Sequence, residues 1–299
     1  MQHIINTSDL SRETIIQLID RAQHFIDYPD EIPSYPTHSC GFLFFENSTR
    51  TQHSFYLAAS RLNMIPLVAD IKKTSLSKQE SVADMLMTWS ALGIHSVVIR
   101  HSNDHFCQML LTQVQPDTKI SIINAGNGVA SHPSQALLDI MTIYQAKGNW
   151  NNLKVVIMGD YKHSRVARSL VCALEKLGKA TCHWIGPHQW QPENNASITI
   201  HQDMNTALSN ADVVVCLRIQ QERLLQSSAT HNYLSQWGLT QERLQLAKPD
   251  AMVMHPGPIN RGVEISSEIA DGPQAHILKQ VNNGLYMRMA ILSTINDNH

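Results

Sequence analysis

The 299-residue sequence has no cysteine pair at C-x-x-C spacing, no apolar run of membrane-spanning length and almost no net charge. Each absence removes a class of protein. The five cysteines, Cys40, Cys107, Cys172, Cys182 and Cys216, are odd in number and widely spaced, so a reduced, cytoplasmic setting is the simplest inference. Without a long apolar stretch no membrane span is expected. Residues 1–13 lack a basic region followed by an apolar core, so no secretory leader is expected. A formal net charge of −2 supplies no overall field to draw nucleic acid or an anionic membrane, so any anion site must come from local arginines and lysines. Histidines are plentiful, and His101 and His105 have the i,i+4 spacing that can suit a metal. No acidic or cysteine partner accompanies them in a known pattern, so a loop or helix start is expected there and no metal.

Hydrophobic content of 43% with 16% charge is ordinary for a soluble globular enzyme, and the length suggests about two domains. Apolar patterns of strand and helix alternate almost throughout. Strands are expected at 41–45, 65–69, 96–100 and 119–124, and in the second half at 153–159, 180–185, 211–217 and 251–254. Ile15, Ile16, Ile19, Ala22 and Phe25 mark a first helix capped by Ser11. Further helices carry Val82, Met85, Leu86 and Trp89 on one face, open at Pro133 with Leu137, Ile140, Met141 and Tyr144 inward, and run over 166–177. A last helix from Val281 onward has Leu285, Met289 and Leu292 on one face. Such alternation implies parallel sheets with both faces covered, here in two domains joined near 133–144.

The stretch Phe44-Phe45-Glu46-Asn47-Ser48-Thr49-Arg50-Thr51 lies where a strand ends and a helix begins, with Phe55, Ala58, Ala59 and Leu62 on the helix's apolar face. A helix's first turn has unpartnered N–H groups and the positive end of the dipole, so these hydroxyls and the guanidinium form a candidate phosphate site. Ser and Thr are also ordinary N-caps, and the stretch alone leaves both readings open. Ligands of open α/β sheets bind beyond the carboxyl ends of strands. Arg100 ends one strand, and Asn124, His132 and Gln135 follow another. Arg165 follows the 153–159 strand, Arg218 ends the 211–217 strand, and His255-Pro256-Gly257-Pro258 follow the last.

Together these residues make the chain resemble the catalytic chains of aspartate carbamoyltransferases from the first helix to the last. The segments that carry the resemblance are FFENSTRT (44–51), VVIRH (97–101), NAGNG with HPSQALLD (124–139), HSRVARS (163–169), LRIQQER (217–223) and HPGPINRGVEI (255–265). The resemblance implies an α/β fold of two three-layer domains, each an open, mostly parallel sheet covered by helices. Residues 1–135 plus 285–299 would bind carbamoyl phosphate and 136–284 aspartate, with the C-terminal helix returning to the first domain. It implies transfer of the carbamoyl group of carbamoyl phosphate to L-aspartate, early in pyrimidine synthesis, with no metal or organic cofactor. It also implies homotrimers with shared active sites; regulatory chains are not excluded.

Residue roles follow from the same resemblance. Ser48, Thr49, Arg50 and Thr51 would hold the phosphate, and Arg100 would bridge phosphate and carbonyl oxygen. Thr51 and His132 would donate to that oxygen as negative charge grows on it. Gln135 and the backbone carbonyls around Pro256 and Gly257, with Pro258 beside them, would accept from the carbamoyl NH2. Arg165 and Arg218 would each take one carboxylate of aspartate, with Gln220 as partner. Ser75 and Lys78 would reach in from a neighbouring subunit on a mobile loop. Arg168, Arg223 and Arg261 are nearby alternatives. Three positions depart from the family pattern: Gln79 where Gly follows the loop lysine, Gln52 where a basic residue is common, and Asn127 where Asp is usual. If position 79 needs positive φ, Gln costs roughly 1 kcal/mol there. The rivals are a carbamoyltransferase for a different amine, such as ornithine, and a non-catalytic relative that keeps only the fold. The first would want a Cys after His255, where this chain has Pro256.

Overall fold

The computed structural model describes residues 1–74, 79–115, 118–193, 196–219 and 232–297. The chain forms two compact units, residues 1–138 with 282–299, and residues 139–281.

The first unit is built on a parallel sheet of β1 (Ser39–Phe44), β2 (Ile65–Val68), β3 (Ser96–His101) and β4 (Ser121–Asn127), in the order β2-β1-β3-β4. Its helices include α1 (Arg12–Asp27), α2 (Thr49–Arg61), α3 (Val82–Ala91) and α4 (Phe106–Gln113), and α5 (Pro133–Lys147) begins in it. α1 forms where expected: the Ser11 hydroxyl accepts from the Thr14 N–H at 3.1 Å, and Ile15, Leu18, Ile19, Ala22 and Phe25 are buried. Leu43, Val97, Ile99 and Ile122 pack with Leu86, Phe106 and Leu110 in one apolar cluster. Gly41 is required there, because a Cβ would lie 2.1 Å from the Trp89 ring of α3. The edge strand β2 departs from the expectation of covered faces: Ile65, Leu67 and Val68 are exposed.

The second unit carries β5 (Lys154–Met158), β6 (Thr181–Ile185), β7 (Ile198–Ile200), β8 (Val213–Cys216) and β9 (Met252–Met254), all parallel, in the order β7-β6-β5-β8-β9. Its helices are α6 (Arg165–Leu177), α7 (Met204–Leu208), α8 (Tyr233–Gln236), α9 (Gln241–Leu244) and α10 (Ser267–Ala270) among the described residues. Val156, Met158, Val214, Cys216 and Val253 form a core with Leu244, Ile265 and Ile269. The chain returns to the first unit within α11 (Ile277–Asn296). Near the end of α11, the Arg288 Nη1 donates to the Ser54 hydroxyl at 3.0 Å and the Tyr35 hydroxyl donates to Asp297.

Several expectations need correction. β4 starts and ends later than 119–124, because Ala125, Gly126 and Asn127 stay buried and paired with β3 through Asn127. α11 begins at Ile277, four residues before Val281. Tyr144 does not point inward. It is 40% exposed, its ring stacked on Trp150 at 4.6 Å, since its hydroxyl end tolerates water while Leu137, Ile140 and Met141 fill the core. His101 ends a strand rather than a loop, stacked on Phe106 at 3.7 Å. No group of three metal-ligating side chains occurs among the described residues.

Candidate active site

In the first unit the candidate residues gather past the carboxyl ends of β1, β3 and β4, which are neighbours in one parallel sheet. Ser48 is the N-cap of α2, yet its hydroxyl makes no capping hydrogen bond; the helical ladder starts with the Gln52 N–H donating to the Ser48 carbonyl at 3.0 Å. The cap hydroxyls of three other helices are engaged: Ser11, Ser81 and Ser164 accept from the N–H groups of Thr14, Asp84 and Ala167, whereas Ser266, at the start of the four-residue α10, makes no such bond either. The α2 start therefore retains donor capacity that the caps of α1, α3 and α6 consume. Thr49 and Arg50 are exposed and Thr51 is buried. Arg100 lies near the end of β3 with its Nε 3.3 Å from the Glu46 carboxylate and its Nη1 3.4 Å from the Ala125 carbonyl, to which it donates. His132 precedes α5 and Gln135 is in its first turn. Both are buried, and the Gln135 N–H donates to the His132 carbonyl at 3.1 Å.

Glu46 is not among the residues expected to form the site. A carboxylate inside a cationic cluster, in the same FFENSTRT run, was the available signal. Asn127 is buried and accepts from the Cys107 thiol at 3.4 Å. A neutral amide suits that enclosure better than the charge of Asp. The neighbouring Gly128 has φ +43°, and a Cβ on it would meet the Asp104 carboxylate at 1.9 Å. Gln79 has φ +71°, so the left-handed geometry considered for that position is present with a side chain on it.

In the second unit the candidates again share one sheet end, past β5, β8 and β9. Arg165 is the first residue of α6, and Arg218 lies two residues beyond β8. The loop after β9 holds Gly257 (φ +66°) and Pro258, and the Gly257 N–H donates to the His255 Nδ1 at 2.8 Å. Two alternative arginines are otherwise engaged. Arg261 forms a two-pronged pair with Asp271 at 2.6 and 2.7 Å on the surface, and Arg168 donates to the Lys162 carbonyl and covers the Tyr161 ring. Ser75, Lys78, Gln220 and Arg223 lie outside the described residues.

Comparison with known proteins follows these two groups of residues. Residues 2–145 match the model of the aspartate/ornithine carbamoyltransferase carbamoyl-P binding domain, and residues 151–295 that of the aspartate/ornithine carbamoyltransferase Asp/Orn binding domain. The chain is 46% identical over 297 residues to an aspartate carbamoyltransferase catalytic subunit of Legionella pneumophila (strain Corby), covering 99% of each. It is 42% identical over 296 residues to that of Coxiella burnetii (strain Dugway 5J108-111), covering 97% of this chain and 94% of the relative. Among solved structures, aspartate transcarbamoylase from Trypanosoma cruzi in complex with carbamoyl aspartate and phosphate superposes with a TM-score of 0.88 at 28% identity, over 98% of this chain and 96% of that one.

Proposed function

Because the chain belongs to the aspartate/ornithine carbamoyltransferase family, we propose that it performs the reaction for which its relatives are named. It transfers the carbamoyl group of carbamoyl phosphate to the amine of L-aspartate, giving N-carbamoyl-L-aspartate and phosphate. The observation that carries this reading is the end-to-end match, at 46% identity, to a catalytic subunit of that name. The product is one that de novo pyrimidine synthesis consumes.

Carbamoyl phosphate is assigned to the first unit. Ser48, Thr49, Arg50 and Thr51 hold the phosphate, and the uncapped start of α2 supports that assignment. Arg100 bridges phosphate and carbonyl oxygen; its pairing with Glu46 supports a cationic group that a phosphate dianion can recruit. Aspartate is assigned to Arg165 and Arg218 of the second unit, with Gln220. The free amine attacks the carbamoyl carbon, and the carbonyl electrons move onto oxygen, where Thr51, Arg100 and His132 stabilise them. The carbonyl then reforms, the C–O bond to phosphate breaks, and the amine's proton leaves with phosphate. Orientation and fixed donors supply the acceleration. Gln135 and the carbonyls around Pro256 and Gly257, with Pro258 beside them, accept from the carbamoyl NH2.

A homotrimer completes the reading, with Ser75 and Lys78 supplied by a neighbouring chain. The exposed apolar side chains Ile65, Leu67 and Val68 of β2 and Tyr56 and Leu57 of α2 support association of copies. A reducing, cytoplasmic compartment is supported by five free cysteines, of which Cys40, Cys107 and Cys182 have thiol pKa values pushed by burial to about 12. The test is an assay of phosphate release and carbamoylated product with carbamoyl phosphate and either aspartate, ornithine or no acceptor. Carbamoyl aspartate is the expected product. Carbamoylated ornithine in its place, or no turnover with either amine, overturns the assignment.

A further inference from the structure

The loop after β9 is held by a buried imidazole–carboxylate pair that no role above uses. His255 and Glu264 are 1% and 3% exposed. The His255 Nδ1 accepts from the Gly257 N–H at 2.8 Å, so the ring proton sits on Nε2, which donates to the Glu264 Oε1 at 3.0 Å. The same Oε1 accepts from the Asn260 N–H at 2.6 Å. One side-chain pair thus ties the loop at Gly257 near its start and at Asn260 near its end. A second tie anchors the pair itself. The His255 N–H donates to the Gln280 Oε1 at 2.9 Å, and the Gln280 Nε2 donates to the Asp139 carboxylate at 2.7 Å. Asp139 lies on α5 and Gln280 on α11, the two helices in which the chain passes from one unit to the other.

A buried carboxylate is costly unless fully hydrogen-bonded, and the Glu264 Oε2 has no hydrogen-bond partner among the described residues. An apolar side chain of similar size would fill the space without that penalty, so stability alone does not explain the pair. What the pair does hold in place is backbone: the segment from Pro256 to Asn260, which includes the carbonyls around Pro256 and Gly257 that the functional reading assigns to the carbamoyl NH2.

We infer that His255 and Glu264 are positioning residues for substrate selection: they aim the carbonyls around Pro256 and Gly257 so that the enzyme prefers a carbamoyl over an acetyl donor. The inference rests on the carbamoyltransferase reading. Carbamoyl phosphate and acetyl phosphate share phosphate and carbonyl oxygen and differ where one has NH2 and the other CH3. Groups that bind phosphate or stabilise the oxyanion act on both donors alike. Acceptors aimed at the NH2 act on one, and a site built to hydrogen-bond a group discriminates strongly against the analogue that lacks it.

The readout is therefore the ratio of kcat/KM for carbamoyl phosphate to that for acetyl phosphate, each with saturating aspartate. It is measured on the full-length parent, Glu264→Gln, Glu264→Leu and His255→Asn. Gln can still accept from the His255 and Asn260 N–H groups, so Glu264→Gln keeps the parent ratio within about threefold. Glu264→Leu and His255→Asn lower it by about tenfold or more, with KM for carbamoyl phosphate raised. A purely structural pair would lower both rates together and leave the ratio unmoved. A parental ratio in either variant, whichever of the two folds, overturns the inference. A parent that turns over neither donor overturns the functional reading instead.

Discussion

A guanidinium at an uncapped helix start does two jobs at once: it adds charge to the dipole's positive end and offers a planar fork to phosphate oxygens. On the proposed assignment, removing the Arg50 guanidinium takes away a fixed donor to the phosphate. Arg50→Ala is expected to lower kcat/KM by about 100-fold or more, read by steady-state kinetics on the folded variant. Arg218→Ala should behave differently. It is expected to raise KM for aspartate by about tenfold or more while carbamoyl phosphate still binds, as calorimetric titration of that substrate would record. Equal loss of both substrates would remove the assignment of Arg218. Gln79 provides a third test, because it holds a side chain at φ +71°. Gln79→Gly should stabilise the chain by about 1 kcal/mol in urea unfolding, and Gln79→Ala should leave it unchanged. At this scale the sequence is most legible where neighbouring residues announce a local arrangement, as Ser48 to Thr51 do at the start of α2. It is least legible where the role depends on a partner brought near by folding. Glu46 acquires meaning only beside Arg100, and His255 only against Glu264.

At the scale of elements, β6 and its edge neighbour β7 create a histidine pair. His183 and His201 face each other with ring nitrogens 2.9 Å apart. Burial, followed by the charges of Lys154 and His201, depresses the pKa of His183 from 6.5 to about 4, and burial with Lys154 lowers that of His201. Both imidazoles resist protonation in the folded chain more than in the unfolded one. Their contribution to stability is therefore complete above pH 6.5 and is lost as pH falls through that value toward about 4. His183→Gln is expected to flatten the loss of melting temperature between those two pH values; an unchanged profile would show that the pair has no such effect. β7 itself was invisible to pattern reading. Three residues, Ile198 to Ile200, are too few to show a period, and the helices α7 to α10 span only four or five each. The long elements were readable because burial on both sheet faces leaves continuous apolar runs, as in Val155 to Met158 and Val213 to Cys216.

Among the exposed large apolar side chains of the described residues are Ile65, Leu67 and Val68 of β2 and Tyr56 and Leu57 of α2, which the proposed homotrimer would cover. Val68→Glu combined with Leu67→Glu is expected to give a monomer by light scattering coupled to size exclusion. A parent that is itself monomeric would defeat the trimer. The chain divides at residues 138/139 and 281/282, positions that no local sequence signal marks. Both passages between units fall inside continuous helices, α5 and α11, where no turn residue or polar linker marks a boundary.

The return of the chain in α11 has a temporal consequence. Met287, Met289, Ala290, Ile291, Leu292 and Ile295 are fully buried, and all belong to a unit whose other residues are the first 138 of the chain. During synthesis that leading portion leaves the ribosome long before the segment that completes its interior. The nascent unit must wait with an open hydrophobic slot until α11 has been made, and a stop codon ahead of Met287 would cripple the part made first.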